Sequence, residues 1–141
     1  AVHKRLMPLL GTDQMPMDLR DAVIYYAGPT PPKNGMPTGS FGPTTSSRMD
    51  SFVPEMMRAG LCGMIGKGGR SEAVREAIRK YRGIYLCAVG GAGALAAMCT
   101  KSLRVIAFEE LGCESLKIAE FEKFPLFVGI DSEGNSIFDR D

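Results

Sequence analysis

The segment FGPTTSSRMDSF, residues 41–52, places four consecutive hydroxyl side chains and an arginine directly before an apolar, Met-rich stretch. Thr44 or Thr45 is expected to cap a helix whose first-turn backbone N–H groups have no partner within the helix. These groups and the positive end of the helix dipole favour an anion. Arg48, four residues after Thr44, is predicted to share its helix face. Because a guanidinium binds a carboxylate or phosphate in a two-pronged contact, the segment predicts an anion site.

A second candidate cation, Lys67, lies in GMIGKGG, where a predicted strand ends among glycines. Strand ends in α/β sheets are common ligand sites, so Lys67 is a candidate second contact. Each cation also has a simpler interpretation. Arg48 would pair with Asp50, Glu55 or solvent on a capped surface helix. Lys67 would be a solvated turn residue.

The stretch VGGAGALAA contains Gly91-x-Gly93-x-x-Ala96 between a predicted strand and a predicted helix. Glu109 follows at the end of the next predicted strand, which resembles the pattern of a dinucleotide-binding turn and its ribose-binding acid. Small residues also let a helix pack closely on a sheet without any ligand. We interpret the stretch as a packing device and keep a nucleotide-binding module as the alternative.

The elements that would position these residues alternate along the chain. AVIYYAG is predicted as a buried strand, and Thr44 to Ala59 as a helix that Pro54 kinks or restarts. The predicted order continues with the strand LCGMIGKGG, the serine-capped helix SEAVREAIRKYRG ending at Gly83, the strand IYLCAVGG, the helix AGALAAMCTKSL and the strand RVIAFEE. This alternation predicts an α/β domain with a parallel sheet. An alternating tail with the turn DSEGN adds antiparallel strands in a mixed or two-sheet arrangement.

Composition narrows the function classes. The 141 residues are 45% hydrophobic and 23% charged with net charge +1, as in an ordinary globular domain. No run of basic residues suggests nucleic acid, and no apolar stretch approaches the ~20 residues of a membrane span.

The cysteine pattern predicts no metal site within this chain. Four cysteines lack CxxC spacing, and His3 is the one histidine. Cys62, Cys87 and Cys99 lie in apolar settings and are expected to be buried free thiols, which fits a reducing, cytoplasmic compartment.

Several of these segments together resemble one family. HKRL, VIYYAGP, GPTTSSRMDSF, MIGKG, YLCAVGGAGALAA and VIAFEELG occur in this order. They look like the C-terminal domain or β subunit of class I fumarases and the related tartrate dehydratases, along nearly the whole chain. GPTT-x-x-RMD followed by MIGKG is the specific part. The resemblance implies that residues 1–141 form a single swivelling β/β/α domain with three layers, a parallel central sheet and added antiparallel strands, with its N-terminal part missing.

The function implied by the resemblance is that of an iron–sulfur hydro-lyase interconverting (S)-malate and fumarate, with L-tartrate dehydration as the alternative. The family's [4Fe–4S] cluster is held by three cysteines of a partner α subunit or N-terminal domain. We therefore expect no cluster ligand in this chain, a homo- or hetero-oligomer, and no activity without the partner.

The resemblance assigns four residues to the substrate carboxylates: Thr44, Thr45, Arg48 and Lys67. His3 and Arg5 match the end of a family motif that begins Gly-Arg-Asp and are added as further candidates. The family's proton-abstracting threonine is expected upstream of Ala1, so no catalytic residue is assigned to this chain. Fixed cations suit the chemistry, because removing a proton next to a carboxylate builds negative charge that they stabilise.

Overall fold

The computed structural model describes residues 1–32, 34–88 and 93–139. The helices are α1 (Val2–Leu6), α2 (Val53–Arg58), α3 (Glu72–Tyr81) and α4 (Gly93–Cys99), with 3-10 helices at Met7–Leu9, Ser46–Phe52 and Glu109–Glu114. The strands are β1 (Val23–Tyr25), β2 (Gly63–Gly66), β3 (Ile84–Cys87), β4 (Thr100–Ala107), β5 (Leu116–Phe121) and β6 (Phe127–Ile130). No helix in the described ranges has the length and apolar character needed to cross a bilayer.

The main sheet has the order β1-β2-β3-β6. β1, β2 and β3 are parallel, and β6 runs antiparallel to β3. The predicted α/β fold with a mixed sheet is therefore confirmed. β2 is buried along its whole length between β1 and β3. The backbone of Lys67, the residue that follows β2, is therefore held in place by the sheet.

The strand predicted from RVIAFEE does not join this sheet, which corrects the expected order. β4 pairs antiparallel with β5 in a separate two-stranded sheet, here called the ribbon. The preceding helix is also shorter than expected, because α4 ends at Cys99 and β4 already begins at Thr100. A two-stranded ribbon leaves much of its surface in water, and Val105 and Ile118 are both exposed. The apolar run in RVIAFEE therefore forms a strand that is partly exposed and not buried.

The ribbon is joined to β1 by an aromatic cluster of four rings: Tyr25, Phe41, Phe121 and Phe124. Neighbouring ring centroids lie between 5.1 and 5.7 Å apart. Tilted and edge-to-face rings at this spacing attract each other beyond simple area burial. The cluster therefore connects the ribbon to the main sheet through apolar contacts.

The predicted helix from Thr44 to Ala59 is divided in two. Ser46–Phe52 is a 3-10 helix, and α2 restarts at Val53 with Pro54 in its first turn, as expected of a residue that lacks an N–H. Val53, Met56 and Met57 are buried in the core, and Phe52 packs against it partly buried.

Helix α3 begins as predicted, since the Ser71 hydroxyl accepts a hydrogen bond from the Val74 amide at 3.3 Å. Its end differs from the prediction. Arg82, with φ of 56°, takes the left-handed conformation expected of Gly83. Gly83 is required for a different reason: an added Cβ would overlap the Met57 side chain and the Cys62 carbonyl.

The turn predicted from DSEGN forms in the tail. The Asp131 carboxylate accepts hydrogen bonds from the amides of Glu133 and Asn135, both at 3.0 Å. It returns the chain to β6 through a bridge between Ile130 and Ser136.

Of the three thiols expected to be buried, only Cys87 is buried. Cys99 is half-buried. Cys62 is exposed, because it precedes β2 and lies outside its buried stretch.

Candidate active site

The two segments predicted to carry substrate-binding residues lie side by side. Thr45 forms a parallel bridge with Lys67, and the Ser46 amide donates to the Lys67 carbonyl at 3.0 Å. The Thr44 amide donates to the Tyr26 carbonyl at 2.7 Å, which ties the same segment to the end of β1. The start of the 3-10 helix is thus attached through its main chain to the ends of two parallel strands.

This close approach depends on Gly66, the last residue of β2. A Cβ added there would overlap the Ser46 hydroxyl oxygen and press on the Tyr26 ring. Ser46 is fully buried, and its Oγ lies 2.8 Å from the Tyr85 hydroxyl, which also lies 2.7 Å from the Gly68 carbonyl oxygen. Because a carbonyl only accepts, Tyr85 donates to Gly68 and Ser46 donates to Tyr85.

The side chains of Arg48 and Lys67 are exposed on this surface. Within the described residues neither forms a hydrogen bond or ion pair with the protein. Arg48 does not pair with Asp50, whose carboxylate bonds to Arg70 and to the Ser71 amide. Both cations face solvent instead, as their simpler interpretation also predicted.

The local geometry changes two details of the predicted anion site. A 3-10 helix has three residues per turn, so Arg48 aligns with Thr45 rather than with Thr44 as predicted. The Ser46 amide already has a partner in Lys67, and the hydroxyl of the N-cap residue Thr45 makes no capping hydrogen bond. The positive charge available to a ligand therefore resides in the Arg48 and Lys67 side chains more than in backbone amides.

Arg70 is a residue of this region that the sequence analysis missed. Its side chain is completely buried and pairs with Asp50 at 2.6 Å. The guanidinium lies over the rings of Tyr26 and Tyr85, 5.2 and 4.7 Å from their centroids, and bonds to the Tyr26 hydroxyl at 3.3 Å. The one sequence signal was an arginine in a glycine-rich loop three positions after Lys67; its partner, on another element, is not readable from spacing.

His3 is 8% exposed and packs between Tyr26 and Phe52, with ring centroids 5.6 and 5.5 Å away. Burial, helped by the positive charges of the Ala1 amino group and Arg70, lowers the pKa of His3 to about 4. The imidazole is therefore neutral at pH 7, so it supplies a hydrogen-bonding group rather than the fixed cation a carboxylate site calls for. Its Nε2 is buried without a protein partner among the described residues.

Arg5 is engaged elsewhere. Its guanidinium pairs with the Glu110 carboxylate at 2.8 Å and lies over the Phe108 ring. The structure therefore does not bring Arg5 to the Thr45–Lys67 region, and both partners of this ion pair are largely exposed.

A cavity of about 540 Å³ lies between β1, the start of α1 and the ribbon. His3, Thr44, Tyr25 and Phe121 line it, whereas Thr45, Arg48 and Lys67 do not. The predicted site residues therefore divide into two groups. Thr44 and His3 face the cavity, and Arg48 and Lys67 lie on the open surface beside it.

The residues present do not fit an iron–sulfur cluster. No group of three His, Cys, Asp or Glu side chains that could hold a metal comes together in residues 1–32, 34–88 and 93–139. Four separate free thiols cannot supply the three neighbouring thiolates that such a cluster takes from a protein.

The nucleotide-binding alternative finds little support in the geometry. Gly91 lies outside the described residues. Glu109 follows β4, which belongs to the ribbon rather than to the parallel sheet, so it does not hold the ribose-binding position. Gly93 instead allows close packing: its carbonyl accepts from the Phe41 amide at 3.0 Å, and a Cβ there would overlap the Ser40 hydroxyl.

Comparisons with known proteins identify the family. A family model described as Fumarase C-terminus matches residues 1–141. The anaerobic class I fumarate hydratase of Escherichia coli K12 is 40% identical over 141 residues, 98% of this chain and 26% of that protein. Fumarate hydratase 1 of Leishmania major is 38% identical, over 99% of this chain and 26% of its own length.

A shorter relative is matched over most of its length. The L(+)-tartrate dehydratase subunit beta of Escherichia coli K12 is 36% identical, over 96% of this chain and 69% of that subunit. This chain thus spans about a quarter of the length of the fumarate hydratases it matches but two thirds of the tartrate dehydratase subunit. From the family match and these identities, the chain belongs to the fumarase C-terminus family of hydro-lyases.

Proposed function

We propose that this chain is the substrate-carboxylate-binding domain or subunit of a [4Fe–4S] hydro-lyase that interconverts (S)-malate and fumarate. The observation that carries the proposal is the main-chain pairing of Thr45 and Ser46 with Lys67. It holds the segment of Arg48 and the loop of Lys67 together, and both charges remain exposed without a protein partner among the described residues.

Each proposed residue has a separate task. Arg48 grips one substrate carboxylate in a two-pronged contact, as its planar guanidinium allows. Lys67 stabilises the negative charge that develops when a proton leaves the carbon next to a carboxylate. The Thr44 and Thr45 hydroxyls donate further hydrogen bonds, and neutral His3 orients the substrate from the cavity side. Arg5 has no role in this scheme because Glu110 binds it.

The remaining parts of the reaction are assigned to a partner. The [4Fe–4S] cluster, which supplies Lewis-acid chemistry in this family, would be held by the α subunit or N-terminal domain, since this chain does not offer a fitting set of ligands. The exposed position of Arg48 and Lys67 supports a site completed across such an interface. A cytoplasmic enzyme, inactive as the isolated chain, remains the expectation.

The test uses the complete enzyme, with this chain and its cluster-bearing partner assembled without oxygen. Arg48→Ala should lower kcat/KM for malate by ~100-fold, the scale of losing one preorganised charge contact. Arg48→Lys should recover part of the loss, because it restores charge but not the two-pronged geometry. Lys67→Met should act mainly on kcat.

Arg58→Ala provides the matched control, because Arg58 is an exposed arginine on the neighbouring helix α2. It should keep kcat/KM within about twofold of the parent. Near-normal turnover by the Arg48→Ala enzyme would overturn the assignment.

L(+)-tartrate dehydration is the second candidate, favoured by the coverage of the tartrate dehydratase β subunit. The two substrates offer the same pair of carboxylates to Arg48 and Lys67, so these residues do not discriminate between them. Steady-state assays of the complete enzyme with malate and with L-tartrate decide the matter. A kcat/KM at least tenfold higher for tartrate would replace the fumarase proposal while leaving the carboxylate sites in place.

A further inference from the structure

We infer that Arg70 is a positioning residue that sets the distance between the charges of Arg48 and Lys67. The inference rests on the proposed function. Arg70 lies on the loop that carries Lys67, and its partner Asp50 lies on the 3-10 helix that carries Arg48. One buried ion pair therefore joins the two segments whose side chains bind substrate.

The surroundings of the guanidinium hold it rigidly. Tyr26 and Tyr85 present their ring faces to it, the Tyr26 hydroxyl bonds to it, and the Met64 sulfur lies 3.6 Å from it. A planar guanidinium can stack on two rings and bond at its edge simultaneously, whereas a lysine ammonium cannot. Arg70 itself is too deeply buried to touch a substrate bound at the surface.

Asp50 extends the connection. One carboxylate oxygen accepts from Arg70 at 2.6 Å, and the other accepts from the Ser71 amide at 2.7 Å, where α3 begins. Together with the Ser46–Lys67 hydrogen bond, this pair fixes the 3-10 helix to the loop at two points, Ser46 and Asp50. The main-chain segments that carry Arg48 and Lys67 are thus held together before substrate arrives, and such preorganisation lets a charge contact contribute to rate.

The test is a double-mutant cycle in the complete enzyme. Arg70→Met should lower kcat/KM by ~100-fold, as expected when a substrate-binding group is displaced by about 1 Å. Arg70→Lys should restore little of it. Because the distance between the two charges no longer matters once the Arg48 guanidinium is removed, Arg70→Met should cost less than about threefold in the Arg48→Ala background. Additive losses, or full activity of Arg70→Met beside an impaired Arg48→Ala, would overturn the inference while leaving the proposed function intact.

A second measurement separates positioning from stability and needs no activity. Hydrogen exchange of the complete enzyme should show the amides of Ser46–Phe52 exchanging at least about tenfold faster in Arg70→Met, with β2 and β3 unchanged. Ile78→Ala, at a fully buried position of α3, serves as the destabilised control with normal exchange in Ser46–Phe52 and normal kcat/KM well below its Tm. Unchanged exchange at Ser46–Phe52 in Arg70→Met would overturn the inference even if Arg48→Ala proved silent.

Discussion

The main sheet and the ribbon are stabilised by different interactions. At the end of β2, buried polar groups connect the 3-10 helix to the sheet: the Ser46–Tyr85–Gly68 chain of hydrogen bonds and the Asp50–Arg70 pair. The ribbon contacts β1 through the aromatic cluster and leaves Val105 and Ile118 exposed. Hydrogen bonds fix direction and distance, whereas apolar contacts tolerate small shifts. We therefore expect substitutions near β2 to alter mainly the chemistry and substitutions in the ribbon to alter mainly the stability.

Gly66→Ala should have the largest effect, because it disturbs the contact between the end of β2 and the 3-10 helix. The added methyl group overlaps the Ser46 hydroxyl, so the 3-10 helix must shift away from Lys67. We expect a ~100-fold loss in kcat/KM and a loss of roughly 1–3 kcal/mol in the free energy of unfolding. Steady-state kinetics of the complete enzyme and urea unfolding measure both. Gly69→Ala is the control, since Gly69 has no positive φ and an added Cβ would meet only the Phe138 side chain at ordinary contact distance; an equal kinetic loss there would contradict the explanation.

The pH dependence of stability should reveal His3. Its pKa in the folded protein is about 4, below the ordinary 6.5, so the unfolded chain binds more protons between these values. The free energy of unfolding should therefore fall as pH drops from 6.5 to 4, by about 3 kcal/mol in total. Above pH 6.5 the contribution is fully present. Urea titrations at several pH values should show this slope in the parent and a smaller slope in His3→Gln; identical slopes would refute it.

Phe121→Ala tests the aromatic cluster between the ribbon and β1. The ring contacts three other rings of the aromatic cluster, so its loss should lower the free energy of unfolding by about 2–3 kcal/mol. Phe121 lines the cavity that Thr44 and His3 face, but Arg48 and Lys67 are attached through β2, so kcat/KM measured well below Tm should fall by less than about tenfold. A kinetic loss as large as that of Gly66→Ala would show that the two regions are coupled.

Ile118→Thr should have the smallest effect. Ile118 is 48% exposed on the ribbon, and threonine keeps the β-branched shape suited to a strand. The change in the free energy of unfolding should stay within about 0.5 kcal/mol in urea titrations. A larger loss in the complete enzyme than in this chain alone would indicate that a partner covers this position.

The elements near the site were predictable from sequence because each has a strong local signal. β2 and β3 are continuous apolar runs, Ser71 caps α3, and Pro54 restarts a helix. The resemblance assigned Thr45 and Lys67 to the substrate carboxylates, but their main-chain pairing was not predicted, because spacing alone does not place two separate segments together.

The missed features are those that depend on distant partners. The Arg70–Asp50 pair joins residues 20 positions apart, and neither type nor spacing marks it. The sheet to which β4 belongs was predicted wrongly for a related reason. Strand propensity is a local property, whereas the sheet that a strand joins depends on which sheet edge is free. Arg82 in a left-handed conformation shows tertiary packing overriding local preference, because Gly83 is needed against Met57.

The hydrogen bond between the Ser46 amide and the Lys67 carbonyl joins two main-chain groups. Almost any replacement of either side chain leaves such a bond in place, and proline at position 46 is the exception, because it removes the donor. Substitutions in the Ser46 and Lys67 segments can therefore change the side chains that face a ligand, while the spacing of the two segments stays the same. Directed libraries at positions 45, 48 and 67 should accordingly retain folded protein at high frequency and offer a practical route to acids of other lengths.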